Sequence, residues 1–333
     1  MKLTVKSILL LFVMVWANSS FAQSDLKYAN LGDFKTTKGE VIKEAKVAYR
    51  TFGKLNADKS NAVLWPTWFT GTSEHIVQWG VLNNTIDTTG LYVVIVDALG
   101  NGVSSSPSNT KKFPSLTIRD MVNSQYELLV NHLGVNKLNT IIGVSMGGMQ
   151  TYEWLVTYPD FMEKAIAIIG TPKQSSYDML FWGMQADLLE AAGNNKQKLE
   201  VAMKRVTDIA TMNLFSPEFL VKSVKPEGTK GYMEEQYAKM IHHADYLVQL
   251  KAMLAHDIYN SANTTADKID DVIKADLLVV VNKQDHTVNP LNAIAIAKEL
   301  NGELKVVDSM SGHGLLFFDH KEVKKVIVPF LAK

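Results

Sequence analysis

Apolar positions along this chain come in short unbroken runs, and between the runs they recur at helical spacing. Residues 26–52 read as β-structure folded about a Thr-Lys-Gly turn at 37–39. Further runs of strand length lie at 62–69 (AVLWPTWF), 92–97 (YVVIVD), 138–143, 165–169, 277–282 and 304–307. Runs of Val, Ile and Leu without polar alternation predict strands covered on both faces. A helical stretch at 118–133 precedes the 138–143 run. Strands alternating with helices predict a mostly parallel central sheet flanked by helices. From 172 to 263 no strand pattern occurs. That segment carries several helical patterns, with breakers at Gly193-Asn194-Asn195 and Pro226-Glu227-Gly228, and the strand rhythm resumes at Leu277. The expected organisation is an α/β core built from 23–171 and 264–333, with a helical cap insertion at 172–263 over the strand ends.

The first residues follow another pattern. Lys2 and Lys6 lead into ten apolar residues at 8–17, and Ser20-Phe21-Ala22 places small residues on either side of Phe21. This is the layout of a secretory leader at 1–22, cut after Ala22; a membrane span needs roughly 20 apolar residues. The expectation is a periplasmic or secreted product with no stable membrane insertion once the leader is removed. Cleavage would take away two lysines and no acids, leaving 32 Lys+Arg against 34 Asp+Glu, a formal charge of −2.

Composition narrows the chemistry. With 333 residues, 47% of them apolar, the chain can bury one large α/β core together with an insertion. Basic and acidic side chains balance at 34 each, so nothing points to nucleic acid. The absence of cysteine excludes disulfides, thiolate catalysis and Cys-based zinc sites.

The strongest chemical signal is G-V-S-M-G-G at 143–148, which follows the strand pattern LNTII and opens a helical stretch. In a G-x-S-x-G elbow the serine sits on a tight strand-to-helix turn that lifts its hydroxyl clear of the sheet. The helix N-terminus behind it offers N–H groups and a positive dipole end to a developing oxyanion. Serine needs a base, and in this arrangement the chain order is serine, acid, histidine. Asp285 follows the 277–282 strand, whereas Asp276 precedes it at the wrong edge. His313 follows the last strand between Gly312 and Gly314. The expected catalytic set is Ser145, Asp285 and His313. Met146 N–H is the first oxyanion donor by position, and Phe69 N–H, in the loop after the 62–69 run, is the second; Thr70 is expected to contact substrate. The side chains of Trp65, Trp68 and Phe69 are expected to pack in the core. Met179, Phe181, Trp182, Met184 and Met253 fit helix–helix packing in the cap better than a pocket lining. His242 and His243 lack the spacing and third ligand of a metal site, and no metal or organic cofactor is expected.

Two stretches carry a family resemblance. One is F-P…L-T-I-R-D-M-V at 113–122, continuing through the helix to G-V-S-M-G-G-M-Q at 143–150 and Tyr158-Pro159-Asp160. The other is F-T-G-T-S-E-H at 69–75. Together they resemble the homoserine O-acetyltransferase family of α/β-hydrolase-fold proteins, through nearly the whole chain after 22. The resemblance implies a Ser-Asp-His triad at Ser145, Asp285 and His313, an acyl-enzyme, a helical cap and often a homodimer formed through that cap. Asp257 resembles the family's cap aspartate near the acceptor amine. The chain departs from the family where acetyltransferases carry an arginine for the amino-acid carboxylate: Ala186 stands there. The only arginines are Arg50, Arg119 and Arg205, and lysine does not reproduce a bidentate clamp. The loop G-N-G-V-S-S-S-P-S-N at 100–109 resembles a branch known simply as α/β hydrolases. An exported protein would also meet little acetyl-CoA or homoserine, while water is abundant. The leading expectation is a serine hydrolase of a small ester, thioester or amide. The alternatives are an O-acetyltransferase using acetyl-CoA and an alcohol such as homoserine, and a non-catalytic binding protein on the same scaffold, against which an intact triad argues.

Overall fold

The computed structural model describes residues 25–333; the expected leader, 1–22, lies outside them. Eight strands form one sheet: β1 (Lys27–Lys35), β2 (Val41–Phe52), β3 (Ala62–Pro66), β4 (Tyr92–Val96), β5 (Leu138–Val144), β6 (Met162–Ile168), β7 (Asp276–Asn282) and β8 (Glu303–Val307). Their order is β1-β2-β4-β3-β5-β6-β7-β8. The β1–β2 and β2–β4 pairs are antiparallel, and every pair from β4 to β8 is parallel. Alternate residues divide between two cores: Leu64, Val94, Ile141 and Val279 face one, and Val63, Val93, Ile142 and Val280 the other. That period of two explains why these strands read as unbroken apolar runs.

Eight helices concern the core. They are α1 (Ser73–Gln78), α2 (Val81–Thr85), α3 (Ile118–Glu127) and α4 (Met146–Thr157), then α10 (Ile258–Ala262), α11 (Leu291–Glu299), α12 (Leu315–Phe318) and α13 (His320–Leu331). The T-I-R-D motif is a helix start. Thr117 and Asp120 form a capping box at α3, and Asp120 also accepts the Thr37 N–H at 2.6 Å, tying the β1–β2 turn to the helix. Arg119 donates to Glu153 on α4 at 2.7 Å and to the Ser261 carbonyl at 2.9 Å. The expected helix over 118–133 closes as a π-helical turn at Leu128–His132.

Between β6 and β7 the segment contains no strand. Its helices are α5 (Ser176–Ala192), α6 (Lys196–Leu214), α7 (Pro217–Ser223), α8 (Thr229–Tyr237) and α9 (His243–Leu254), followed by α10. α5 starts at a Ser175–Asp178 capping box whose buried aspartate also accepts the Asn289 N–H at 2.9 Å, fastening the cap to the loop beyond β7. Burial, opposed by hydrogen bonds from Ser175 and Asn289, raises the Asp178 pKa above the usual carboxylate value.

Candidate active site

The chain reverses direction across the sheet where β3 lies between β4 and β5, and in open α/β sheets ligands bind beyond the strand ends at such a switch point. Ser145 stands there, between β5 and α4, with φ 57° and ψ −120°. This region is sparsely populated for a side-chain-bearing residue and costs about 1–3 kcal/mol. The glycines around it make the turn possible. A Cβ on Gly143 would strike the Gly147 carbonyl, and one on Gly147 would come within 2.7 Å of the Pro66 carbonyl oxygen.

The three side chains singled out by motif and chain order meet in space. His313 Nε2 lies 2.8 Å from Ser145 Oγ, and His313 Nδ1 lies 2.6 Å from Asp285 Oδ2. Asp285 Oδ1 accepts the N–H groups of Thr287 and Val288 at 2.8 and 3.0 Å, so the carboxylate is fixed from both ends. Asp285 is almost fully buried, and the imidazole retains 9% exposure on the cavity side. An acid fixed at Nδ1 leaves Nε2 free to take the serine proton.

Asn282, a residue the sequence reading passed over, joins the two loops. Fully buried at the end of β7, it donates through Nδ2 to the Ser309 and Gly312 carbonyls at 2.9 and 2.8 Å. Its Oδ1 accepts from Ser309 N at 3.1 Å and Gln284 N at 3.2 Å. The available signal was a lone amide closing an otherwise apolar strand. Gln150 does similar work on the other side: its Nε2 donates to the Thr67 carbonyl at 3.0 Å, linking α4 to the loop after β3.

Met146 begins α4, where no preceding turn supplies an acceptor for its N–H. The run expected at 62–69 is shorter than the sequence suggests: β3 ends at Pro66, the Thr67 N–H still donates to the Val96 carbonyl of β4 at 3.0 Å, and 68–71 leave the sheet. Among the described residues no protein group accepts the Phe69 N–H. Thr70 lines the cavity as Phe69 does, but its N–H is taken by Gln249 Oε1 at 3.0 Å.

Above Ser145 lies a cavity of about 320 Å3, at the small end of ligand sites. Trp68, Phe69, Trp79, Phe181, Trp182, Leu316 and Phe317 form much of its wall; Thr70, Thr207, Thr211, Gln236 and Lys239 add polar groups. Phe69 packs edge-on against Trp182 and Tyr246, with ring centres 5.5 and 4.6 Å away. Two expectations hold only in part. Trp65 is fully buried core, whereas Trp68 and Phe69 are partly buried against the core and also line the cavity. The cap residues also divide: Met253 is buried packing, Phe181 and Trp182 are buried packing that also lines the cavity, and Met179 and Met184 are about half exposed on the outer face of α5. The helical phase sends 181 and 182 inward and 179 and 184 outward.

Asp257 is not on the cavity wall. It caps α10, where Oδ1 accepts the Tyr259 and Asn260 N–H groups at 3.0 and 3.3 Å, and its backbone bridges Lys173. A position near an acceptor amine is therefore corrected to a structural cap at the end of the insertion. Ala186 is buried within the cap away from the cavity lining. None of the three arginines reaches the lining: Arg119 pairs with Glu153, Arg205 with Asp208, and Arg50 lies near Ser73 and Glu74. Among the described residues no cluster of His, Cys, Asp or Glu is arranged to hold a metal ion.

The chain belongs to the α/β hydrolase fold family, which it matches over residues 67–320. It is similar to the ethyl acetate hydrolase of Pseudomonas veronii, at 37% identity over 57% of this chain and 58% of that protein. It is also similar to a probable esterase of Corynebacterium glutamicum, at 35% identity over 59% and 61%. The matched segments thus span about three-fifths of each of those two proteins. A homoserine O-acetyltransferase of Chloroherpeton thalassium is 28% identical over 88% of this chain and 85% of its own length. Among solved structures, the acetyl esterase MekB superposes with a TM-score of 0.85 at 28% identity, covering 93% of this chain and 97% of that one. The relatives it resembles thus include ester hydrolases and acyltransferases.

Proposed function

We propose that this chain is an exported hydrolase of small, neutral esters, working through an acyl-Ser145 intermediate. The observation that carries the reading is the hydrogen-bonded series Asp285–His313–Ser145 beneath a small apolar cavity with no arginine on its wall. The similarity to ethyl acetate and acetyl ester hydrolases supports a short acyl group.

In this mechanism Ser145 Oγ bonds to the acyl carbon as His313 Nε2 takes the hydroxyl proton, and Asp285 stabilises the resulting imidazolium. The former carbonyl oxygen, now negative, is held by the N–H groups of Met146 and Phe69; losing one such donor raises the barrier by roughly 3 kcal/mol. The tetrahedral adduct collapses with cleavage of the ester C–O bond, and His313 delivers its proton to the departing alcohol. Water then attacks the acyl-serine, giving a proton to His313. The second adduct expels Ser145, which takes that proton back. The net change is ester plus water to acid plus alcohol. The competing reading, O-acetyl transfer to an alcohol, draws on the long alignment with a homoserine O-acetyltransferase. It needs an acceptor site, and Lys239 is the only Lys, Arg, Asp or Glu on the described cavity wall.

The direct test is a series of p-nitrophenyl esters from acetate to octanoate. The acetate and butyrate should turn over fastest, and Ser145→Ala should lower kcat about a millionfold while the protein stays folded. Near-normal turnover by Ser145→Ala would remove the serine from the mechanism. Export rests on the leader pattern at 1–22. Expression of the full chain in a Gram-negative host should yield periplasmic enzyme beginning at Gln23, and cytoplasmic enzyme retaining Met1 would contradict it.

A further inference from the structure

Gln249 lies on α9 of the cap and is fully buried, yet its amide reaches out of the cap on both sides. Its Oε1 accepts the Thr70 N–H at 3.0 Å, and its Nε2 donates to the Leu99 carbonyl at 3.2 Å. Thr70 is a β-branched residue at φ 60°, a conformation that side-chain-bearing residues hold only when their surroundings dictate it. The segment around it is gripped at successive backbone groups. Thr67 O accepts from Gln150, Gly71 O from Asn101 Nδ2, and Ser73 N donates to Asp97 Oδ1. The Phe69 N–H is left between these anchors without a protein acceptor among the described residues. Of the side chains that grip the segment, Gln249 alone comes from the cap. The same helix carries Asp245, which accepts Ser108 N at 2.9 Å and Ser108 Oγ at 2.5 Å and so ties α9 to the 100–109 loop.

We infer that Gln249 is a positioning residue for the oxyanion hole, through which docking of cap helix α9 sets the aim of the Phe69 N–H. The inference rests on the acyl-Ser145 reading above. By occupying the Thr70 N–H, Gln249 fixes the peptide that follows Phe69 and leaves the Phe69 N–H as the donor facing the reacting carbonyl. By donating to Leu99 O it locks the cap helix to the core at the same point. A donor that matters only once charge develops affects kcat more than ground-state binding.

The test compares Gln249→Met, which keeps side-chain bulk without either hydrogen bond, and Gln249→Asn, which keeps the amide one methylene short of reach. Both are assayed on p-nitrophenyl acetate, with rates expressed per serine titrated by an organophosphate. The expected result is a tenfold to hundredfold fall in kcat per titrated serine, with KM within about twofold of wild type. Affinity for a trifluoromethyl ketone, whose hemiketal oxygen occupies the oxyanion position, should weaken by a similar factor. A merely structural role would lower the titratable fraction and leave both per-site values unchanged, and that outcome overturns the inference; so does a fall in kcat without loss of ketone affinity. If Gln249→Met does not fold, Gln249→Asn is judged by the same criteria, and failure of both to fold, as expected of a purely structural residue, counts against a positioning role. A wild type without Ser145-dependent ester turnover removes the functional reading and this inference together, whereas active wild type with unaffected variants removes only the inference.

Discussion

At the scale of single residues, the chemistry-bearing side chains were legible because reactivity restricts where they can stand. A serine on a strand-to-helix turn, an acid after a late strand and a histidine in a glycine-flanked loop form an ordered pattern, and all three converge within hydrogen-bond reach. The residues that aim them were not legible. Asn282, Gln150 and Gln249 act by hydrogen bonds across distant parts of the chain, and no local spacing announces such partners. His256 is another buried side chain with no sequence signal. Burial pushes its pKa below the usual histidine value, against the raising influence of the Glu153 and Asp257 carboxylates; Glu153 is itself paired with Arg119. A histidine held neutral in the fold but free to protonate when unfolded favours the unfolded chain once pH drops below the unfolded value of about 6.5. Its stabilising contribution is therefore complete above that pH and is lost as pH falls toward the depressed folded pKa. Melting curves should show a loss of stability as pH falls below about 6.5 that is shallower in His256→Met. An identical slope in the two proteins would show that His256 does not titrate differently on folding.

At the scale of elements, strand positions followed from the unbroken apolar runs, since a strand covered on both faces has no polar alternation. The end of β3 did not, because the aromatic residues after Pro66 continue the apolar run while serving a cavity and not the sheet. The cap helices were visible by periodicity, but which of their faces turned toward Ser145 depended on docking. That is why the periodicity shows Phe181 and Trp182 as packing residues but not that they also line the cavity, and why Asp257 lies away from the cavity wall as a helix cap. Asn282 shows how much two loops can depend on the end of one strand. Asn282→Ala would leave the Ser309 and Gln284 N–H groups and two loop carbonyls without this partner, so denaturant unfolding should reveal a loss of about 3 kcal/mol together with reduced kcat. A loss below about 0.5 kcal/mol would mean that the loops hold their geometry without it.

At the scale of the whole molecule, the sheet reversal between β4, β3 and β5 locates the cavity, and the cap gives it a roof. The fold therefore admits both water-resolved and alcohol-resolved acyl-enzymes, and fold alone does not choose between them. What separates them is the cavity wall, which is mostly apolar, small and without an arginine to clamp an amino-acid carboxylate. The most direct measurement is a paired assay of protein lacking residues 1–22. One arm supplies p-nitrophenyl acetate in water. The other supplies acetyl-CoA with and without homoserine and follows free CoA. The hydrolase account predicts ester turnover that Ser145→Ala abolishes, with CoA release unaffected by homoserine. Homoserine-dependent CoA release at a rate matching or exceeding ester hydrolysis would contradict it and make the chain an acetyltransferase.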